Sequence, residues 1–347
     1  MRREMPGRHH CQTNMKNAVR ICAALSALIV LLTFASCGKT QKRYSVTYAD
    51  TFDTVTEFSA YCDSEAQFDR ACEALHGELL RLHRIFDIYN EYEGVNNAAT
   101  VNRLAGSQPV EVPEELIELL GVCKTFYGLS GGKLDASLGS VLSIWHDCRE
   151  SADRLPDMES LKEAAKHTGF QFVKTEGSEI SFTDPGLSLD LGAVAKGYAA
   201  GRAAEAVKRS GVISFALDVG GNVVTGGAKP DGNWLIGVTD PEGGLYTKLA
   251  VSGLAVVTSG DYQRFYELDG VRYHHIIDPD TLYPAGLYRS VTVICGSSAY
   301  ADALSTALFC MSVQDGKALA QSYDAEALWI KADGSAERTA GFASYER

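Results

Sequence analysis

Between Glu65 and Phe86 the apolar residues Phe68, Cys72, Leu75, Leu79, Leu82 and Phe86 recur at intervals of three and four, the pattern of a long amphipathic α-helix. A stripe of that length has to be laid on another apolar surface, and the flanking sequence supplies one. Residues 44–61 have the pattern of two strands broken near Asp53, and residues 222–294 hold several short strands punctuated by Gly-Gly and Asp-Pro, which favours antiparallel pairing. Further helices are expected after Pro113, where Leu116, Leu119, Leu120, Cys123 and Tyr127 share a face, from Asp157 to His167, and at 298–310 and 313–322, before a last strand near Ala327–Lys331. Residues 188–218 read as strand, helix and strand, with the helix running from Ala193 to Ser210. With no visible repeat and no low-complexity linker, the expectation is one α+β unit: helices packed on mixed, largely antiparallel sheets, with a cleft between two lobes.

The N-terminus stands apart from this pattern. Arg2, Arg3, Arg8, Lys16 and Arg20 precede an apolar run from Ile21 to Phe34, and Ala35 and Ser36 lead into Cys37. The run is too short to span a bilayer comfortably, which takes about 20 residues. It resembles a bacterial lipoprotein signal over residues 1–36, with Cys37 as the lipid-bearing first mature residue, a tether to Arg43 and the folded domain over 44–347. A plain secretory signal and an N-terminal anchor helix are the other readings, and Met15 begins a signal of more ordinary length. The expected location is therefore exported, anchored by lipid to a bacterial membrane and facing the extracytoplasmic side.

Charge narrows the partners. The chain of 347 residues has 32 Lys plus Arg against 44 Asp plus Glu, net −12, and leaving out residues 1–36 deepens this to −16. Such a surface repels nucleic acid. Six cysteines remain after Cys37: Cys62, Cys72, Cys123, Cys148, Cys295 and Cys310. None has CxxC spacing and most lie in apolar runs, so buried thiols are expected in place of a disulfide framework or a zinc site.

Three constellations interrupt the regular pattern. In Ser188-Leu189-Asp190-Leu191-Gly192-Ala193-Val194-Ala195-Lys196 an apolar segment passes through Gly into a helix whose free N–H groups suit a phosphate, with Lys196 adding a charge. It is neither a P-loop nor a GxGxxG turn, and on physics alone a simple strand-to-helix turn capped by Asp190 fits better than a ligand site. In the second, Asp302 and Thr306 are four apart on one helix face and offer hard oxygen ligands of the kind Mg²⁺ takes; alternatively Asp302 sits in a favourable first helical turn and Thr306 packs. In the third, Thr258-Ser259-Gly260-Asp261-Tyr262 is followed by His274-His275-Ile276-Ile277-Asp278. Neighbours on a strand point to opposite faces, so one histidine packs or faces solvent while the other faces a cleft.

The ordered motifs of residues 44–312 resemble the ApbE-type FAD:protein FMN transferases. They are Phe52-Asp53-Thr54-Val55, Ile88-Tyr89-Asn90-Glu91, Asp135-Ala136-Ser137-Leu138-Gly139 with Trp145, the 188–198 block, Ala216 to Asn222, Gly237 to Pro241, Thr258 to Tyr262, His275 to Pro279, and Ala301 to Thr306. The resemblance implies an ApbE-like, T-fold-related domain with a cleft for FAD. It implies transfer of FMN from FAD to a Thr or Ser hydroxyl of an acceptor flavoprotein, such as a redox-pump or extracellular electron-transfer subunit, with release of AMP. By the same resemblance the carbonyl of Ala193 and the side chains of Asp302 and Thr306 hold Mg²⁺. Phe52, Tyr89, Lys133, Leu134, Asp135, Asp190, Lys196 and Ile276 would meet FAD. His275 is the first candidate base, with Asp278 and Asp261 behind it.

Two stretches depart from the family pattern: Phe52-Asp53-Thr54 stands for Met-Gly-Thr, and Asp280-Thr281-Leu282 for Arg-Thr-Gly. The second removes a positive charge and a glycine beside the cleft, which bears on phosphate affinity and acceptor handling. Mg²⁺-dependent hydrolysis of FAD to FMN and AMP, and a non-catalytic flavin-binding lipoprotein, are the rival functions.

Overall fold

Phe52 and Asp53 both adopt left-handed backbone, φ 55° and 51°, the conformation that lets a two-residue turn follow the twist of the strands it joins. They connect β1 (Lys42–Thr51) to β2 (Thr54–Cys62) in an antiparallel pair, the break expected near Asp53. The protein is seen here as a computed structural model describing residues 41–347, of which Lys42–Arg347 form one compact unit. The signal segment and Cys37 lie outside the described residues.

The hairpin starts a larger sheet. β3 (Phe215–Val219), β4 (Asn222–Thr225), β5 (Ala255–Gly260), β6 (Tyr288–Cys295), β7 (Glu326–Lys331) and β8 (Ala336–Arg338) follow in chain order, and every neighbouring pair is antiparallel. All other strands and α-helices are insertions between these eight strands, and only the 3-10 turn Phe342–Ser344 follows the last of them. Among these insertions the helices that build the site are α1 (Glu65–Phe86), α2 (Ala195–Arg209) and α3 (Ser298–Phe309). Ser64 caps α1 by accepting from the Gln67 N–H at 3.3 Å, and the stripe Phe68, Leu75, Leu79, Leu82 and Phe86 is buried. The pleat sorts the sheet's two faces. Val257, Val293 and Ala327 join the core under the helices, while their neighbours Val256, Ile294 and Leu328 pack with Val238, Leu249 and Phe342 on the other face.

A third core forms a satellite lobe. Leu138, just before the helix Gly139–Ser151, with Val141 and Trp145 of that helix and Leu161 of Met158–Ala165, pack against Tyr266, Ile277 and Leu282. The helices Gly139–Ser151 and Ala98–Leu104 are additions to those expected from the periodicity. The first carries no side-chain cap, so the usual start signal is missing, although Val141, Trp145 and Cys148 recur at four and three on its buried face. Residues 188–191, expected as a strand, make a single parallel bridge from Ser188 to Leu138. All six body cysteines are free and five are buried.

Candidate functional site

The segment leading into α2 is held by side chains acting as backbone partners. Asn102 donates to the Leu189 carbonyl at 2.9 Å and accepts from its N–H at 2.7 Å, replacing a missing strand neighbour. The Asp190 N–H donates to the Ala136 carbonyl at 2.8 Å. Asp190 Oδ1 accepts from the Gly192 N–H at 2.8 Å, so this carboxylate shapes the Gly192 turn and does not cap the helix. The helix begins at Ala195, and Val194 before it supplies no side-chain cap.

The cap comes from α3. Asp302 Oδ2 accepts from the Gly197 N–H at 2.7 Å, placing a carboxylate at the positive end of α2. Gly197 makes this possible: a Cβ there would lie 2.4 Å from Asp302 Cβ and 2.5 Å from the Ser298 carbonyl oxygen. The alternative reading, that Asp302 occupies the first turn of its own helix, does not hold, because Ser297 caps α3 and Asp302 lies beyond that turn. The Asn222 amide, turned to suit its neighbours, donates to Asp302 Oδ1 at 3.1 Å. Burial pushes the Asp302 carboxyl up to about 6, against the Lys196 charge and the Gly197 N–H, which hold it down. Thr306, one turn further along α3, is half-buried, as are Ala193 and Lys196. Lys196 Nζ donates to the Gly192 carbonyl at 3.2 Å.

The adjacent histidines separate as a strand end requires. His274 is buried, its Nε2 donating to the Ala285 carbonyl at 2.9 Å and its Nδ1 accepting from the Ile276 N–H at 3.2 Å. It is structural. His275 turns the other way, and the Arg264 carbonyl accepts both its backbone N–H, at 3.0 Å, and its Nδ1–H, at 3.1 Å. A carbonyl only accepts, so the proton resides on Nδ1 and Nε2 keeps a free lone pair. Burial first, then the charges of Lys196 and Arg264, push the imidazole down to about 3; it is neutral at neutral pH. Lys196 thus acts electrostatically on both His275 and Asp302.

The remaining candidates fall in different surroundings. Tyr89 is 68% exposed, its ring 5.4 Å from that of His146 on the satellite lobe. It is displayed by Asp87, whose carboxylate accepts from the Tyr89 N–H at 2.7 Å, the Asn90 N–H at 3.0 Å and the Tyr92 hydroxyl at 2.7 Å. Phe52 is half-buried with its edge toward His83. Ile276 and Leu134 are buried in the main core, so for Leu134 the backbone is what remains for a ligand. Asp135 accepts from the Ser137 N–H at 2.8 Å. Asp278 Oδ1 lies 2.7 Å from Lys133 Nζ and accepts from the Asp280 N–H at 3.0 Å. Asp278 is thereby engaged in holding Lys133 and its own turn. Asp261 is likewise engaged, 2.6 Å from Arg289 Nε. A cavity of about 610 Å³ opens beside Lys133 and Asp278, and another of about 750 Å³ on the flank of α1 contains none of the candidates.

A match to the ApbE family covers residues 43–329. The chain belongs to the ApbE family. It is 34% identical to the FAD:protein FMN transferase of Treponema pallidum, over 75% of this chain and 79% of the relative. It is 33% identical to one from Klebsiella pneumoniae, over 74% and 83%. The crystal structure of the ApbE protein of Thermotoga maritima superposes with a TM-score of 0.79 at 31% identity, covering 88% of this chain and all of that one.

Against the ApbE pattern, both replaced glycines sit where the backbone is left-handed, Asp53 at φ 51° and Leu282 at φ 60°. Asp tolerates that region better than a bulky apolar residue. Leu282 is held there by Trp145 Nε1, which donates to its carbonyl at 2.9 Å, and by its own N–H, which donates to the Asp278 carbonyl at 2.8 Å. Asp280, in place of arginine, lies 2.8 Å from Lys133 Nζ, so this lysine carries two acidic partners.

The residues also fit a hard divalent cation. No group of three His, Cys, Asp or Glu side chains converges among the described residues. What is present is one buried carboxylate whose raised pKa marks an under-compensated charge, with a hydroxyl one turn away. That is a donor set for an ion that takes its other ligands from carbonyls, phosphates and water.

Proposed function

We propose that this protein transfers FMN from FAD to a Thr or Ser hydroxyl of an acceptor flavoprotein and releases AMP, with Mg²⁺ held by Asp302, Thr306 and the Ala193 carbonyl. The observation that carries the reading is that Asp302 of α3 accepts from the Gly197 N–H, next to Lys196 at the start of α2, inside a chain whose relatives are named for this transfer.

Nε2 of His275 takes the proton from the acceptor hydroxyl as its oxygen attacks the phosphorus bearing FMN. The bond from that phosphorus to the bridging oxygen breaks, and AMP leaves with the electron pair. Lys196 neutralises charge on the diphosphate, and the α2 N-terminus adds a favourable field. A Mg²⁺ ion held by Asp302, Thr306 and the Ala193 carbonyl would supply Lewis-acid charge stabilisation to the phosphoryl group. Tyr89 and Phe52 provide apolar surface for the FAD rings, with Asp190, Lys133, Asp135 and the Leu134 backbone beside it. A low-pKa imidazole is a weak base in the free enzyme; the negative diphosphate raises its basicity when FAD enters beside Lys196.

The protein is proposed to act outside the cytoplasm, anchored by lipid on Cys37, on acceptors of membrane redox complexes or extracellular electron transfer. Chromatography of the products tests the reading. Incubation with FAD and Mg²⁺ is expected to give AMP stoichiometric with modified acceptor. AMP with equal free FMN whatever acceptor is added makes the protein a hydrolase, and tight FAD binding with no AMP makes it a carrier.

A further inference from the structure

Arg264 lies in none of the motifs that carry the family resemblance, yet it touches the site at two points. Its carbonyl accepts both protons His275 offers on that side, from the backbone N–H at 3.0 Å and from Nδ1–H at 3.1 Å. Its guanidinium reaches across to the β1–β2 turn, Nη2 lying 3.3 Å from the Asp53 carbonyl oxygen and 3.6 Å from the Asp53 carboxylate. The segment that orients the imidazole is therefore tied to the edge hairpin of the main sheet, more than 200 residues away in sequence.

We infer that Arg264 is the positioning residue of the site: by bridging the Asp53 turn and the His275 ring it fixes the imidazole in the tautomer whose Nε2 is free toward substrate. The inference rests on His275 as base but makes a separate physical claim. A carbonyl on an untethered loop would let the ring rotate or change tautomer, each of which removes the acceptor nitrogen from the reacting hydroxyl. The exposed ion pair to the Asp53 carboxylate contributes little to stability, so the tether matters for geometry more than for folding. The charged and titratable groups facing His275 are Lys196 from α2, Arg264 itself, and buried His274, which desolvation keeps neutral.

The test uses full-length protein with ¹⁵N-labelled histidine, read by NMR, together with the pH profile of FMN transfer for wild type, Arg264→Ala and Arg264→Lys. Wild type is expected to show His275 as the Nδ1–H tautomer. Arg264→Ala is expected to show a tautomer mixture, a fall in kcat of about tenfold with KM for FAD within about twofold, and an acid limb displaced to higher pH because a nearby positive charge is gone. Arg264→Lys, still able to donate to the Asp53 carbonyl, should restore the tautomer and most of the rate. An unchanged tautomer and pH limb in Arg264→Ala overturn the inference, even if the rate falls. If the tautomer shifts as expected while no version transfers FMN, the inference stands and the transferase reading fails.

Discussion

At the residue scale, Asp302 carries a conflict between stability and function. Its folded pKa is raised by burial, so its ionised form destabilises the metal-free protein above about pH 6, and that penalty is relieved as pH falls from 6 toward the unfolded value near 4. Asp302→Asn keeps an acceptor for the Gly197 N–H and removes the charge. It should raise the metal-free melting temperature at pH 7, by a stabilisation on the order of 1–3 kcal/mol, while transfer falls by about 10² to 10³-fold. Added Mg²⁺ should raise the wild-type melting temperature and leave the variant unmoved, a calorimetric result independent of turnover. Leu282 poses the opposite case, a bulky side chain at φ 60° that is buried in the satellite core. Leu282→Gly and Leu282→Ala both lose that packing, but Ala keeps the backbone strain. Gly should therefore be the more stable variant by about 1 kcal/mol in urea titration, reversing the order found in ordinary backbone. The Asp302–Thr306 spacing and the departure at Leu282 were legible in the sequence. The Gly197 contact, Asn222 and Arg264 were not, because each depends on chain segments brought together only by the fold.

At the scale of elements, the close approach of α2 to α3 sets the site, and Gly197 is its fulcrum. Gly197→Ala would force a Cβ to within 2.4 Å of Asp302 Cβ, so the helices must separate or Asp302 must turn away. A loss of stability of about 2–4 kcal/mol is expected, together with loss of the Mg²⁺-induced shift in melting temperature; calorimetry with and without Mg²⁺ reads both. The α1 stripe, the β1–β2 break and the two C-terminal helices could be read from period because their apolar faces follow the core they cover. The segment at 188–191 misled because Asn102 completes its hydrogen bonds, leaving an apolar run with no ladder. The satellite helix at Gly139–Ser151 lacks a capping side chain to mark its start, although Val141, Trp145 and Cys148 share its buried face and Trp145 anchors that lobe to the Leu282 turn.

For the whole molecule, the sequence-order antiparallel sheet leaves room for long insertions, and its pH behaviour reflects the titratable groups that these insertions bury. His275 has a folded pKa far below the unfolded value near 6.5. Its contribution to stability is complete above pH 6.5 and is lost as pH falls below it, because the unfolded chain then takes up a proton that the folded one refuses. His275→Gln should flatten the acid side of the metal-free stability profile between pH 6.5 and 4, read as midpoint against pH in denaturant titrations. The same substitution should abolish most FMN transfer, since Gln cannot take the proton. The central claim is that these groups move FMN onto protein, and intact-mass spectrometry of a candidate acceptor domain incubated with residues 44–347, FAD and Mg²⁺ tests it most directly. The account predicts a mass increase of one FMN unit that disappears without Mg²⁺ and with Asp302→Asn. Unmodified acceptor beside AMP and free FMN, across acceptors carrying flavinylation sites, would contradict it.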